Sequence, residues 1–307
     1  MVTNPQQSRW QRFLRHLQNP VTVKELRSRM RGRRAFVVLT VYLFVMGGFI
    51  SLVYLAFASS SGGPYGPDAR EVGRVIFSTV VGIQTFLVLF IGPSFTAGAI
   101  SGEKERQTYD LLRTTLLSAP AFVTGKLLSA LSYVLLLIFT AVPIQSIAFL
   151  LGGVSFLELL LSQIVLVVAA VAVAIFGLFC STVMKSTLGA SVTTFAGILV
   201  VTAGIPALVG LFAAILGPMI SLSSSSLIEL LMTYLLLVLA ATNLPATLIV
   251  SDVFLLEEGA YLYHTSAIGG RTAYLFSPWP LFLIFYGLLA LLFYWLTVRR
   301  IRRIADK

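Results

Sequence analysis

Gly102-Glu103-Lys104-Glu105-Arg106-Gln107-Thr108-Tyr109-Asp110-Leu111-Leu112-Arg113 is a dense island of both charges set between two long apolar segments. Residues 75–100 before it and 127–157 after it carry no Asp, Glu, Lys or Arg. Unpaired charges in hydrocarbon cost several kcal/mol each, so the island must sit in water or against protein while its neighbours lie in lipid. Its leucines and Tyr109 also give it an apolar side. The expectation is a short amphipathic helix on a membrane loop, which a soluble partner can grip.

The same contrast runs through the whole chain. Its 307 residues are 57% hydrophobic and 11% charged, with mean hydropathy +0.93. A soluble domain carries about a quarter charged residues. Apolar runs of about 20 residues recur, each long enough to cross about 30 Å of hydrocarbon as a helix. The fold class is therefore an all-α polytopic membrane protein.

The net charge of +10 is concentrated at the termini. Residues 1–34 hold nine basic side chains against Glu25 alone, and residues 299–307 hold five against Asp306, so 14 of the 22 Lys and Arg lie in the tails. Such charge flanking membrane spans follows the positive-inside rule and gives no reason to expect a nucleic-acid partner. Both termini are expected on the cytoplasmic side of a cell (inner) membrane, which requires an even number of crossings. The single cysteine, Cys180, lies in an apolar run and reads as a small core residue.

Before the first span, Trp10, Phe13, Leu14 and Leu17 recur at i, i+3, i+4 and i+7, with Arg9, Arg12 and Arg15 facing away. This pattern predicts an amphipathic helix lying in the cytoplasmic headgroup layer and anchored to membrane lipid. Spans are expected at about 35–58, 75–100, 127–151, 157–183, 187–216 and 278–298. Gly152-Gly153 is expected to turn tightly between the third and fourth, and Lys185 to mark the junction of the fourth and fifth. Residues 227–255 are also apolar enough to cross, but a seventh crossing would separate the two basic tails. Asn243-Leu244-Pro245 interrupts this stretch at its middle, so it is expected to enter and return as a broken, re-entrant hairpin. A hairpin in the fifth segment broken at Pro206, giving eight crossings, is the alternative.

The sequence offers little for catalysis. Glu158 and Glu229 fall near span ends, and Asp252 belongs near the outer surface if the hairpin is re-entrant. Ion-driven carriers need buried acids along their path, and these are scarce. No His-Glu-x-x-His pattern is present, so no metal site is expected, and no serine stands beside a recognisable base. Gly125-Lys126 is not a phosphate loop: Pro120 stands where its first glycine would be, and Leu127 follows. Energised work would have to be powered by a partner.

At the island the chain resembles the permease subunits of ABC-2 type transporters. Those proteins carry a cytoplasmic helix with the pattern Glu-basic-Glu-x-Gly-Thr-x-acid-x-Leu, then a short linker and a Gly-Lys opening the third span. Glu103, Lys104, Glu105, Thr108, Asp110 and Leu112 match, as do Gly125 and Lys126. Gln107 replaces the glycine, and Leu116 stands where proline is common.

The resemblance implies a transmembrane domain over about 35–298, a basic amphipathic segment over 1–34 and a basic cytoplasmic tail over 299–307. It implies a half-transporter that pairs with a second permease chain, alike or different, with a cytoplasmic ABC ATPase docked below each. The helix over about 102–118 would be the coupling element. Glu103, Lys104, Glu105, Arg106, Thr108, Tyr109, Asp110, Leu112 and Arg113 would dock the ATPase, which alone would bind ATP and Mg²⁺. No cofactor is expected in this chain. The alternative is a non-transporting membrane scaffold or sensor that recruits a cytoplasmic protein through the same helix.

Overall fold

The computed structural model describes residues 33–60, 68–107, 118–222, 226–258, 261–268 and 271–305. The expected interfacial helix with Trp10, Phe13, Leu14 and Leu17 lies outside these residues. Among the described residues, six helices are long and apolar enough to cross a membrane. The first is α1 (Arg33–Ser60). The second is α2 (Ala69–Phe86), prolonged by a π-helical turn (Leu87–Ile91) as far as Ser94. After the short α3 (Ser101–Glu105), the third is built from α4 (Ala119–Thr140) and α5 (Val142–Leu150). The fourth is α6 (Phe156–Val183). The fifth joins α7 (Thr187–Leu199) through a second π-turn (Val200–Gly204) to α8 (Ile205–Leu222). The sixth is α11 (Pro278–Ala305).

Between the fifth and sixth lie two shorter apolar helices, α9 (Ser226–Ala240) and α10 (Leu244–Glu258), meeting at Asn243 as expected for the broken hairpin. At about 1.5 Å per residue each rises about 22 Å, short of the hydrocarbon thickness.

Local chemistry sets the boundaries. Ser155 and Glu158 form a reciprocal capping box that starts α6, and Asp68 caps α2. Two boundaries differ from expectation. Arg70, Glu71 and Arg74 lie inside α2, which begins at Ala69, ahead of the span expected from about 75. Lys126 lies inside α4, which already begins after Ser118 with Pro120 in its first turn. Gly152, at φ +74, makes the expected turn between α5 and α6. Its neighbour Gly153 lies against α2 so closely that a Cβ there would be 2.4 Å from the Arg74 amide nitrogen.

The centre of the bundle is α6. Its most apolar window is 67% buried, against 6% for the first and fifth spans. Leu166, Ala169, Ala170 and Leu178 share one core with Val88, Leu137, Ile138 and Phe282. Ala169, Ala170, Ala172 and Ala174 are buried, and α4 and α11 both pack against α6, where small residues permit close approach.

Proline interrupts three spans, and the first two interruptions have the same form. A π-turn ends two residues before Pro93, and another two residues before Pro206. A proline ring clashes with the carbonyl four residues back and supplies no N–H; the wider turn relieves the clash. The fifth segment therefore continues through Pro206 as one helix, and the hairpin alternative is not what forms. Around Pro206, the Ile205 N–H reaches back to the Val200 carbonyl, and Thr202 loses its donor to the proline. The released carbonyls of Val201 and Thr202 instead accept the Asn243 side-chain amide at 3.1 and 3.0 Å. Asn243 Oδ1 in turn accepts the Ala246 N–H at 3.1 Å, starting α10. The break between α9 and α10 thus covers the break in the fifth span, as irregular backbone within a membrane-spanning bundle requires.

The third interruption, at Pro143, is covered by amides from two other helices. Gln84 Nε2 donates to the Ile138 carbonyl in the last turn of α4 (2.9 Å), and Gln84 Oε1 accepts Gln145 Nε2 (3.0 Å). Gln163 Nε2 closes the cluster on Gln145 Oε1 at 2.7 Å.

One element was not expected. Strands β1 (Tyr263–Ile268) and β2 (Arg271–Phe276) pair antiparallel, Tyr263 opposite Phe276, making the sole sheet among the described residues. The hairpin is pinned by Tyr234 Oη donating to the Tyr274 carbonyl (2.7 Å). Beside it, Trp279 Nε1 donates to the Tyr261 carbonyl (2.8 Å).

Candidate functional site

The island opens with α3, whose first backbone N–H groups have no partner within the helix. Ser181, near the end of α6, supplies one: its Oγ accepts the amides of Ile100 and Ser101, both at 2.9 Å. Ser101 and Ser181 are fully buried. The start of the island is therefore seated on the end of the central helix.

Three consecutive charged side chains extend this seat to three different spans. Glu103 Oε1 pairs with Lys126 Nζ of α4 at 3.1 Å. Lys104 Nζ reaches the last carbonyls of α6 and the residue beyond, donating to Thr182 at 2.7 Å, Met184 at 3.3 Å and Ser181 at 3.4 Å. A cation there satisfies carbonyls that the helix leaves open and complements the negative end of its dipole. Glu105 takes the opposite role at the start of α7, accepting the Thr187 N–H (2.9 Å) and hydroxyl (3.0 Å). An anion at a helix N-terminus is favourable for the same reason. Burial, reinforced by the nearby Arg300 guanidinium, lowers the Lys104 ammonium below the ordinary lysine range. The site accepts that cost and offsets it with three carbonyls.

The outcome for the predicted docking residues is thus divided. Glu103, Lys104 and Glu105 are turned to partners within the chain. Arg106 is exposed at the end of α3. Thr108, Tyr109, Asp110, Leu112 and Arg113 lie outside the described residues. The expected amphipathic helix is described only as far as Glu105, where it ends in a turn.

Gln107 gives that turn its geometry: it stands at φ +58, in the left-handed region. Glycine adopts this conformation without penalty, whereas an L side chain pays for it. This is the position at which the resemblance leads one to expect glycine, so the substitution leaves the backbone turn in place and adds strain.

Sequence reading missed the residues that seat the island from the other side. Ser181 and Thr187 were read only as parts of spans. Their signal was positional: hydroxyl residues flanking the one basic residue, Lys185, at an otherwise apolar junction. It also missed the Gln84, Gln145 and Gln163 cluster, whose signal was the presence of primary amides deep in apolar spans.

What this arrangement can do is mechanical. A displacement of the island is delivered at once to the start of the third span, the end of the fourth and the start of the fifth. The family model described as ABC-2 type transporter matches residues 19–208, more than half of the chain, and its match includes the island and all three of these junctions. No curated protein matches the chain.

Proposed function

The chain belongs to the ABC-2 type transporter family, and from that premise we propose that it is the permease subunit of an ATP-driven exporter. A separate cytoplasmic ABC ATPase docks at the segment about 102–118, and two permease chains pair around the path. ATP and Mg²⁺ are bound by the ATPase. The observation that carries this reading is the triple fastening of the island through Glu103, Lys104 and Glu105. A surface loop helix of no consequence has no need to be tied to three spans, by two part-buried charges, Glu103 and Lys104, and by the exposed Glu105.

The division of labour within the island follows. Glu103, Lys104 and Glu105 transmit; Arg106, Thr108, Tyr109, Asp110, Leu112 and Arg113 grip. Docking charges that are desolvated at an interface are worth about 2–5 kcal/mol when truncated. The chain lies with both tails and the island in the cytoplasm, and the interfacial helix at Trp10, Phe13, Leu14 and Leu17 holds the N-terminal segment against lipid.

The test separates grip from transmission. The tagged chain is recovered in mild detergent from its native membrane and assayed for a bound ATPase and for nucleotide-driven transport in vesicles. Arg106→Glu with Arg113→Glu is expected to lose the ATPase. Lys104→Met is expected to retain it and lose transport. An ATPase that stays bound in the first variant overturns the assignment of grip. A partner bound without nucleotide-dependent movement of any substrate would leave a recruiting scaffold in place of an exporter.

A further inference from the structure

At the membrane face opposite the island, a cavity of about 500 Å³ opens between α2, α6 and α10, with Trp279 of α11 at its rim. That volume lies in the range of small-molecule sites. Its walls are apolar over most of their length: Phe77 and Val81 on α2, Val165 on α6, Leu248 on α10. The deep end reaches Phe90 and Pro245. From Phe77 to Phe90 the helix rises about 20 Å, enough for a long hydrocarbon chain lying parallel to α2.

The other end is charged and incompletely satisfied. Asp252 Oδ2 pairs with Arg74 at 3.0 Å, while its Oδ1 is enclosed and has no hydrogen-bond partner among the described residues. Ser251, which lines the cavity and is 7% exposed, has an Oγ in the same condition. Glu158 lines the same cavity and interacts electrostatically with both Asp252 and Arg74. Glu158 is held by Ser155 in the capping box of α6, and among the residues that line the cavity it and Asp252 are the charged ones, with no Lys or Arg in the lining, so the lining is acidic. A buried acceptor left without a donor costs free energy that an incoming donor recovers.

We propose that this cavity binds an amphiphile with an ammonium head and a long apolar chain, the head at Asp252, Ser251 and Glu158 and the chain running along α2 toward Phe90. An ammonium supplies both missing items, positive charge and N–H donors. A fatty acid or other anionic head supplies neither and is repelled. The binding is a property of this chain alone and holds whether or not an ATPase docks at the island.

Trp279 provides the readout. The chain contains three tryptophans, so Trp10→Phe with Trp295→Phe leaves one indole, at the cavity rim. This protein in phosphatidylcholine nanodiscs is titrated with dibrominated octadecylamine and, separately, with dibrominated octadecanoic acid, whose bromines quench indole fluorescence on contact. The amine is expected to quench saturably, at a mole fraction at least tenfold below the acid. Asp252→Asn raises the half-saturation point for the amine at least tenfold. Arg74→Gln lowers it, because it removes the cation that competes for Asp252. These two variants break the same ion pair, so a mere loosening of the bundle moves both in one direction, whereas the binding site moves them in opposite directions. Equal quenching by amine and acid, no response to Asp252→Asn, or weakening by Arg74→Gln overturns the proposal.

Discussion

The two ends of the bundle treat their charges in opposite ways. At the island end, three adjacent charged side chains each find a partner on a different span: Glu103 on Lys126, Lys104 on the α6 carbonyls, Glu105 on Thr187. At the other end, Arg74 and Asp252 form one bond across helices, and Asp252 Oδ1 with the neighbouring Ser251 Oγ are enclosed and find no partner among the described residues. The first arrangement is closed and stiff; the second is open to a further donor. A charge bonded to backbone, as Lys104 is at the end of α6 and Glu105 at the start of α7, ties one element to another. A charge half satisfied at the mouth of a cavity waits for something else.

Measurements can press on this contrast, beginning where the largest effect is expected. Between the two ends, Asn243→Ala leaves the Val201 and Thr202 carbonyls without a donor at membrane depth, at about 1–3 kcal/mol for each orphaned group. Adding Pro206→Ala returns an N–H to Thr202, so the double variant is expected to regain part of the loss in thermal unfolding in detergent. Failure to regain any would mean that Asn243 acts by packing alone. At the island end, Lys104→Met removes three charge-assisted bonds to backbone and is expected to cost about 2 kcal/mol. Asp252→Asn at the other end breaks an ion pair whose side chains are 25% and 27% exposed, and is expected to cost about 1 kcal/mol or less. If unfolding midpoints order these two the other way, the distinction between a closed and an open end is wrong. The smallest effect is a gain. Gln107→Gly relieves a left-handed residue and is expected to stabilise the island turn by about 1 kcal/mol, read as slower amide exchange at Arg106 and beyond.

Much of the fold was legible because hydrocarbon imposes a strict length and polarity rule on each crossing. The fourth span was expected at 157–183 and forms at Phe156–Val183. The broken hairpin was legible from Asn243-Leu244-Pro245 together with the charge parity of the tails. The starts of α2 and α4 were not, since hydropathy marks where the apolar stretch begins, whereas the helix begins at its cap, Asp68 or Ser118. The β-hairpin was missed because its strands are short and follow an apolar segment. The Gly269-Gly270 pair between two alternating runs was the available sign.

Of the site, the charged stretch was legible in the sequence, and the bonds that its residues make within the chain were not. Glu103 and Glu105 were read as partners for another protein because charge in a loop looks outward by default. Their bonds to Lys126 and Thr187 join residues 23 and 82 positions apart, and no local pattern announces such pairs.

The covering of Pro206 by Asn243 also leads us to expect an order of assembly. Neither α9 nor α10 is long enough to settle across a bilayer as it leaves the ribosome. Asn243 bonds backward, to a span already made. The adjoining Thr242 carbonyl accepts Tyr286 Oη at 2.7 Å, from a span not yet made. The hairpin is therefore expected to commit in two stages during synthesis, held first by the fifth helix and closed only when the sixth arrives. A chain truncated between Glu258 and Tyr286 should be a substrate for membrane quality control, and full-length protein should not.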